Sequence, residues 1–167
     1  MNYDLFMTMA LEQAEQALDD GDFPVGCVIV RDNHVIASGR RTNTRENARN
    51  EIDHAEITAL RQLSGLSTDF DREEMVLFST MEPCLMCFAA IMLSGIRHIV
   101  YAYEDVMGGG VGCERTSLPP LYRDSDMKIV SGVLRKESLA LFKRFFLRPE
   151  NTYWKGSCLE IYSLSAS

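Results

Sequence analysis

The chain has 167 residues, of which 46% are hydrophobic and 25% are charged, and its formal net charge is −7. This length suits one domain with its own hydrophobic core, and the apolar fraction excludes an intrinsically disordered chain. No apolar run approaches the roughly 20 residues that cross a bilayer, and the first residues lack the basic and apolar segments of a signal peptide. We therefore expect a cytoplasmic protein with no membrane partner.

The first half of the chain predicts a helix, a hairpin and a second helix. Apolar residues at helical spacing predict an amphipathic helix over residues 5–20. Apolar, β-branched runs over 25–30 and 35–38, separated by turn-forming residues, predict the two strands of a hairpin. After a polar stretch, a helix is expected over about 54–64, with three apolar residues facing inward: Ile57, Leu60 and Leu63.

Strands alternate with helices in the second half. Apolar runs predict buried strands over 76–79 and 96–103 and a short strand over 128–130. A proline favours the first turn of a helix expected over 83–93, and a last amphipathic helix is expected over 134–147. This alternation is typical of an α/β protein and predicts a three-layer α/β/α sandwich around a mixed five-stranded sheet.

The five cysteines of the chain point to a metal or redox site rather than to disulfides. An odd number leaves no complete disulfide framework. In a reducing compartment, a close pair such as Cys84 and Cys87 more often binds a metal or does redox chemistry. This pair opens a predicted helix, where unpaired amides and the helix dipole favour thiolates, the metal-binding form.

A histidine and a glutamate open another predicted helix. His54 adds one imidazole to the two thiolates of Cys84 and Cys87. Tetrahedral zinc with three protein ligands keeps its fourth position for water, as catalytic zinc sites do, and lowers the pKa of that water towards ~7. Glu56 lies two residues beyond the histidine, where it can take a proton from the water and deliver it to a substrate. The pattern predicts a catalytic Zn²⁺ site.

Each fragment alone also fits a structural role. The cysteine pair fits a thioredoxin-like redox pair or a structural zinc site, and His54 fits an ordinary surface or core histidine. Glu56 with Asp53 fits a capping box, in which the glutamate reaches back to the backbone amide of the cap residue. Catalytic zinc is favoured because a random chain seldom carries both fragments in this order, each opening a helix.

The same pattern, His-x-Glu followed by Pro-Cys-x-x-Cys, is the signature of zinc nucleobase deaminases. The chain resembles the cytidine/deoxycytidylate deaminase superfamily and, within it, bacterial tRNA-specific adenosine deaminases. The likeness covers most of the chain and includes the following segments: 10–14, 24–26, 54–57, 80–87 and the helix that ends at Phe145-Phe146.

The resemblance implies a cytidine deaminase-like fold, zinc bound by the histidine and the two cysteines, and proton transfer by Glu56. Asn43 lies eleven residues before the histidine, as in that family, and the resemblance implies that it contacts the substrate together with Val25 and Ala55. The implied reaction is hydrolysis at the amine-bearing ring carbon, C6 of a purine or C4 of a pyrimidine, with release of ammonia.

Three functions stay open. Deamination of the wobble adenosine of a tRNA anticodon loop to inosine is favoured by the likeness and by a basic helix face over 135–148. Deamination of a free base, nucleoside or nucleotide, such as guanine, cytosine or deoxycytidylate, is favoured by the acidic charge balance and by residues 106–108, where the family commonly has a lysine. A non-catalytic structural zinc or interaction module has no use for a carboxylate at the open zinc position, so Glu56 argues against it.

Residues 1–148 are expected to form the deaminase domain, and 149–167 extend past the usual end of the family. This C-terminal extension could pack on a neighbouring subunit, cover the site or lie free, and its Tyr153-Trp154 pair favours packing. A homodimer is the default oligomer. The apolar helix over 84–95 fits either a subunit interface or a central core helix.

Overall fold

The computed structural model describes residues 1–45, 49–63 and 71–167. These residues form one sheet of five strands: β1 (Gly26–Arg31), β2 (His34–Arg40), β3 (Val76–Met81), β4 (His98–Tyr103) and β5 (Lys128–Val130). The α-helices of the same ranges are α1 (Tyr3–Asp19), α2 (Ala55–Gln62), α3 (Leu85–Leu93), α4 (Pro120–Arg123), α5 (Arg135–Phe146) and α6 (Cys158–Ser165). None of these helices combines the length and the apolar character that a membrane span requires.

The strands lie in the order β2-β1-β3-β4-β5. β1 is antiparallel to both of its neighbours, whereas β3, β4 and β5 run parallel to one another. The antiparallel pair is joined by the predicted hairpin, and the parallel strands are joined by longer crossovers, as parallel pairing requires. The prediction of a mixed five-stranded sheet is confirmed.

Helices cover both faces of the sheet. Val28, Phe78 and Val100 lie in an apolar cluster with residues of α1, whereas their neighbours Ile29 and Leu77 lie in a second cluster with residues of α2 and α3. Because side chains alternate between the two faces along a strand, α1 lies on one face and α2 and α3 lie on the other. The three-layer sandwich is therefore confirmed.

A glycine on β2 sets the position of α2. A Cβ atom at Gly39 would lie 2.2 Å from the carbonyl oxygen of Ala55 and 2.7 Å from the amide nitrogen of Ala59, so only glycine permits this close approach. Both alanines are fully buried, whereas Ile57 and Leu60 are only partly buried. The helix presents an alanine face to the sheet. Of the three residues expected to face inward, Leu63 is buried, Leu60 packs partly buried against the same apolar cluster, and Ile57 does not belong to it.

Helix α3 begins later than predicted. Its first residue is Leu85, and Cys84 is the N-cap. Pro83 therefore lies before the cap and not in the first turn. Cys87, in contrast, lies in the first turn of the helix and is buried. The shift of two residues moves one cysteine of the pair outside the helix and leaves the other inside it.

The C-terminal extension packs on the rest of the chain. The ring of Tyr153 lies against the ring of Phe23, with the two centroids 5.3 Å apart. Helix α6 is held by a hydrogen bond between the Ser163 and Tyr103 hydroxyls, whose oxygens are 2.9 Å apart. Tyr153 and Leu159 belong to the main apolar cluster, so the extension forms part of the core.

Candidate active site

One edge of the sheet gathers the candidate site residues. The carboxyl ends of β2 and β3 and the amino end of β1 meet there, because β1 runs opposite to both neighbours. Val25 precedes β1, Arg41 follows β2 and Glu82 follows β3. The amide N–H of Arg41 donates to the carbonyl oxygen of Val25 at 2.8 Å, which continues the hairpin pairing to the edge.

Helices α2 and α3 each begin with a candidate metal ligand as N-cap. His54 caps α2 and Cys84 caps α3, both with an extended backbone. The two side chains meet, with Nδ1 of His54 3.6 Å from Sγ of Cys84. The two helix starts thus direct a nitrogen and a sulfur towards the same point.

His54, Cys84 and Cys87 together fit a zinc ion. Each offers one ligand atom, and these atoms all lie within 4.8 Å of one another. Zinc bonds to nitrogen and sulfur at tetrahedral angles separate the ligand atoms by roughly 3.3–3.8 Å, close to the distance between His54 and Cys84. One imidazole and two thiolates also leave a fourth position, as catalytic zinc sites require.

The two thiols differ sharply in acidity. A hydrogen bond from the Cys87 side chain, helped by one from His54, lowers the pKa of Cys84 to about 4 against the opposing effect of burial. The same bond to Cys84, together with burial, raises the pKa of Cys87. Cys84 is therefore a thiolate at neutral pH. A bound cation removes the proton of the second thiol, because a coordinating thiol is deprotonated.

Glu56 lies beside this group and not on the surface of α2. Only 3% of its surface is exposed, and burial raises its pKa above the usual range of a glutamate. Its Oε1 accepts a hydrogen bond from Oγ of Ser79 at 3.0 Å, and its Oε2 lies 3.5 Å from Sγ of Cys87. A carboxylate with a raised pKa beside an open metal position is suited to proton transfer.

The capping-box alternative for Glu56 is wrong. The N-cap of α2 is His54 and not Asp53, and the Glu56 side chain bonds to Ser79 on β3. Asp53 has a different task, since its carboxylate accepts hydrogen bonds from the side chains of Asn43, Asn50 and Arg61.

A cavity of about 230 Å³ opens onto these residues. His54, Glu56 and Cys84 line it together with apolar side chains that include Phe23 and Val25. Carboxylates also line it: Glu51, Glu82 and Asp105. A cavity with apolar walls and a few convergent polar groups is the usual form of a small-molecule site.

A glycine-rich loop closes one side of the cavity. A Cβ atom at Gly110 would lie 2.5 Å from both the Cα and the amide nitrogen of Leu85, so the loop lies directly on the start of α3. The amide of Gly110 donates to the carbonyl oxygen of Pro83 at 2.9 Å. Asp105 shapes the rest of this loop by accepting from the amides of Met107 and Gly108, each at 2.9 Å.

The sequence profile of the cytidine and deoxycytidylate deaminase zinc-binding region matches residues 1–103. The chain belongs to this family. It is a zinc-dependent nucleobase deaminase, so the predicted enzyme class and cofactor are confirmed, and the structural zinc or interaction module is set aside.

Related proteins align with the deaminase over most of its length. The tRNA-specific adenosine deaminase of Streptococcus pyogenes serotype M1 is 33% identical over 141 residues, which cover 84% of this chain and 81% of the relative. The tRNA-specific adenosine deaminase of Bacillus subtilis (strain 168) is 32% identical over 143 residues, covering 86% and 88%. A solved structure from a study of A-to-I editing by tRNA:A34 deaminases at the wobble position of transfer RNA is 33% identical, with a TM-score of 0.69 over 81% of this chain and 97% of that one.

The predicted substrate contacts of the deaminase are only partly brought together. Val25 and Ala55 line the cavity. Asn43 lies outside the set of lining residues, and its side chain donates to Asp53 at 3.0 Å. The backbone of Asn43 has a φ of 60°, in the left-handed region that asparagine tolerates. The contact between Asn43 and a substrate stays a prediction.

Two parts of the cavity were not predicted. Arg41 lines it from the end of β2, and a lone arginine in a polar stretch carries no signal of burial. The C-terminal extension lines it with Tyr153, Trp154 and Leu159. The extension therefore contributes to the wall of the cavity, and the aromatic pair was its only signal in the sequence.

Proposed function

We propose that this deaminase converts the wobble adenosine of a tRNA anticodon to inosine, by hydrolysis at C6 with release of ammonia. The position of Glu56 carries the proposal: a buried carboxylate lines the cavity beside a cysteine of the metal group. A structural zinc site has no use for such a carboxylate. The choice of substrate rests on the relatives, which are tRNA-specific adenosine deaminases aligned over most of the chain.

His54, Cys84 and Cys87 hold the zinc ion in this proposal, because the starts of α2 and α3 bring one ligand atom of each residue within 4.8 Å of the others. When bound, zinc supplies hydroxide from water at neutral pH. The amides at the start of α3 and the dipole of that helix stabilise the thiolates.

Glu56 moves the protons of the reaction. It takes the proton released by the attacking water, gives it to the ring nitrogen N1, and then carries a second proton from the new hydroxyl to the departing amine. Its raised pKa matches this task, because a general acid–base group works best when its pKa lies near the operating pH. Ser79 holds one carboxylate oxygen, which leaves the other directed towards Cys87.

The apolar walls of the cavity bind the base in this proposal. Val25 and Ala55 line the same cavity as His54 and Glu56, so a base held against them lies in the cavity that opens onto the metal group. Burial of the ring against apolar side chains supplies binding free energy, and the surrounding polar groups fix its orientation.

A free base or nucleoside is the second candidate substrate. The extension narrows the cavity with Tyr153 and Trp154, and carboxylates border it. The basic face of α5 is largely used within the molecule: Arg135 donates to Glu104 at 2.8 Å, Lys143 to the carbonyl oxygen of Ala166 at 2.6 Å and Arg144 to Glu15 at 2.6 Å. These contacts weaken the support that this face gave to a tRNA substrate.

A homodimer and a cytoplasmic location complete the proposal. The outer side of α3 carries two exposed leucines, Leu85 with 58% and Leu93 with 66% of its surface exposed, while Phe88 and Met92 on the inner side are buried. Covering such leucines in a symmetric interface is a common arrangement. Size-exclusion chromatography with light scattering should give twice the monomer mass, and a monomer at micromolar concentration would contradict the dimer.

The substrate is tested by offering both classes to the purified, zinc-loaded protein. An anticodon stem-loop with the sequence ACG is assayed for inosine by nuclease digestion and mass spectrometry, and free bases, nucleosides and nucleotides are assayed for ammonia. Inosine in the stem-loop supports the proposal. Ammonia from one small molecule with no inosine would contradict it and establish the second candidate.

A further inference from the structure

Arg41 is the largest fully buried side chain in the described part of the deaminase, with 2% of its surface exposed. Its Nη2 donates to Oε2 of Glu51 at 2.9 Å and to the hydroxyl of Tyr153 at 3.3 Å. Its Nη1 is also buried but has no hydrogen-bond partner within residues 1–45, 49–63 and 71–167. Nη2 is thus held in place, and Nη1 is unpaired.

A buried, unpaired N–H on a cation carries a large desolvation cost. Native structures satisfy nearly all such groups, so an exception calls for a specific explanation. Arg41 lines the same cavity as His54 and Glu56. An acceptor atom on the substrate would supply the missing hydrogen bond.

The charges around the cavity decide what kind of acceptor fits. Glu51 already compensates the charge of Arg41 through a direct ion pair. Glu82 and Asp105 add further negative charge to the lining. A phosphate beside Arg41 would be repelled by these carboxylates, whereas a neutral nitrogen or oxygen acceptor would not.

We propose that Arg41 determines specificity by donating a hydrogen bond from Nη1 to a neutral acceptor atom of the substrate nucleoside, either N3 or N7 of the base or the 2′-oxygen of its sugar. This rests on the proposed function, since it requires the nucleoside to occupy this cavity. Arginine has donors only, so a substrate that presents an amino group or a C–H at this place leaves Nη1 buried and unpaired. Glu51 and Tyr153 act as positioning residues, because they hold the guanidinium through Nη2.

Equilibrium binding to a Glu56→Gln variant, which leaves the substrate intact, tests the proposal. The ligands are anticodon stem-loops whose target nucleoside is adenosine or one of three analogues. 7-Deazaadenosine lacks the acceptor N7, 3-deazaadenosine lacks N3, and 2′-deoxyadenosine lacks the 2′-oxygen. Every loop is titrated with the Glu56→Gln protein alone and with Arg41→Met or Arg41→Lys added. Arg40→Met is the matched control, because Arg40 is partly exposed, pairs with Asp20 and does not line the cavity.

Arg41→Met should weaken binding of the adenosine loop by about tenfold to a hundredfold, as expected for a hydrogen bond from a charged donor. Arg41→Lys should give an intermediate loss, and Arg40→Met should change the affinity less than twofold. In the protein that keeps Arg41, the loop with one of the analogues should bind about tenfold more weakly than the adenosine loop. In Arg41→Met, the same two loops should bind with equal affinity. That analogue identifies the acceptor. An equal loss on all four loops, or no loss, overturns the proposal, and equal melting temperatures show that the variants are folded.

Inosine formation by the unmodified protein tests the proposed function separately. If the loops are neither deaminated nor bound, the titration is repeated with free adenosine, cytidine and guanine. A tenfold loss on Arg41→Met for whichever compound binds would then support the role of Arg41 with another substrate. An unchanged affinity, or no binding of any compound, would overturn it.

Discussion

Replacing Gly39 with alanine should destabilise the deaminase by about 3 kcal/mol. The new Cβ atom would lie 2.2 Å from the carbonyl oxygen of Ala55 and 2.7 Å from the amide nitrogen of Ala59, and ordinary contacts begin at 3.4 Å. Both are backbone atoms, so no side-chain rotation relieves the overlap and α2 has to move by more than 1 Å. Overpacking a core typically costs about 1–3 kcal/mol, and a contact with helix backbone belongs at the upper end.

Thermal unfolding followed by circular dichroism measures this effect. For a domain of this size, about 3 kcal/mol lowers Tm by roughly 6–12 °C. Zinc affinity should fall as well, because the displaced helix follows His54 and carries Glu56. Gly112→Ala is the control, since no atom lies within 4 Å of its Cβ position. A Tm for Gly39→Ala within 2 °C of the control, with zinc fully retained, would refute the reasoning.

Three further predictions follow from the site and its supports. Ser79→Ala removes a hydrogen bond that lowers the pKa of Glu56, so the acidic limb of the pH profile of kcat/KM should move to higher pH. An unmoved limb would contradict the contact. Cys84→Ser should reduce bound zinc, measured by mass spectrometry, well below one ion per chain. Chelation of zinc from the unmodified protein should abolish turnover, and added zinc should restore it. Hydrogen bonding to Arg135 lowers the pKa of Glu104 to about 2, so the stability that this pair contributes is present above the ordinary glutamate pKa and is lost as the pH falls towards 2. In an acid titration, Arg135→Met should therefore unfold at a higher pH than the unmodified protein. An unchanged midpoint would count against the ion pair.

Much of the sheet and the metal group was predictable because the signals are local. Apolar, β-branched runs mark the strands, and the histidine and cysteine fragments each stand where a helix starts. The sequence alone could not decide between the two roles open to the Glu56 side chain, helix capping and proton transfer. Glu56 fits a capping box equally well, and its real position depends on Ser79, a strand residue 23 positions away in the chain.

The remaining errors come from contacts with no local signal. The close approach of α2 to the sheet depends on Gly39 on another element, so apolar spacing alone missed the alanine face and wrongly placed Ile57 inward. The family resemblance points to Asn43, whose contact with a substrate stays a prediction, whereas the pairing of the hairpin brings Arg41 to the cavity without any signal in the sequence. The C-terminal extension joins the site through residues more than 100 positions apart, such as Tyr153 and Glu51.

The central claim is that Glu56 performs the proton transfers of a zinc-dependent deamination. The most direct test compares the unmodified protein with Glu56→Gln, both loaded to one zinc per chain, for inosine formed in the anticodon stem-loop and ammonia released from the small-molecule panel. We predict that Glu56→Gln keeps its zinc and its melting temperature while kcat falls by at least about 100-fold, the lower range of general acid–base catalysis. A variant with full zinc content and undiminished turnover would contradict the account.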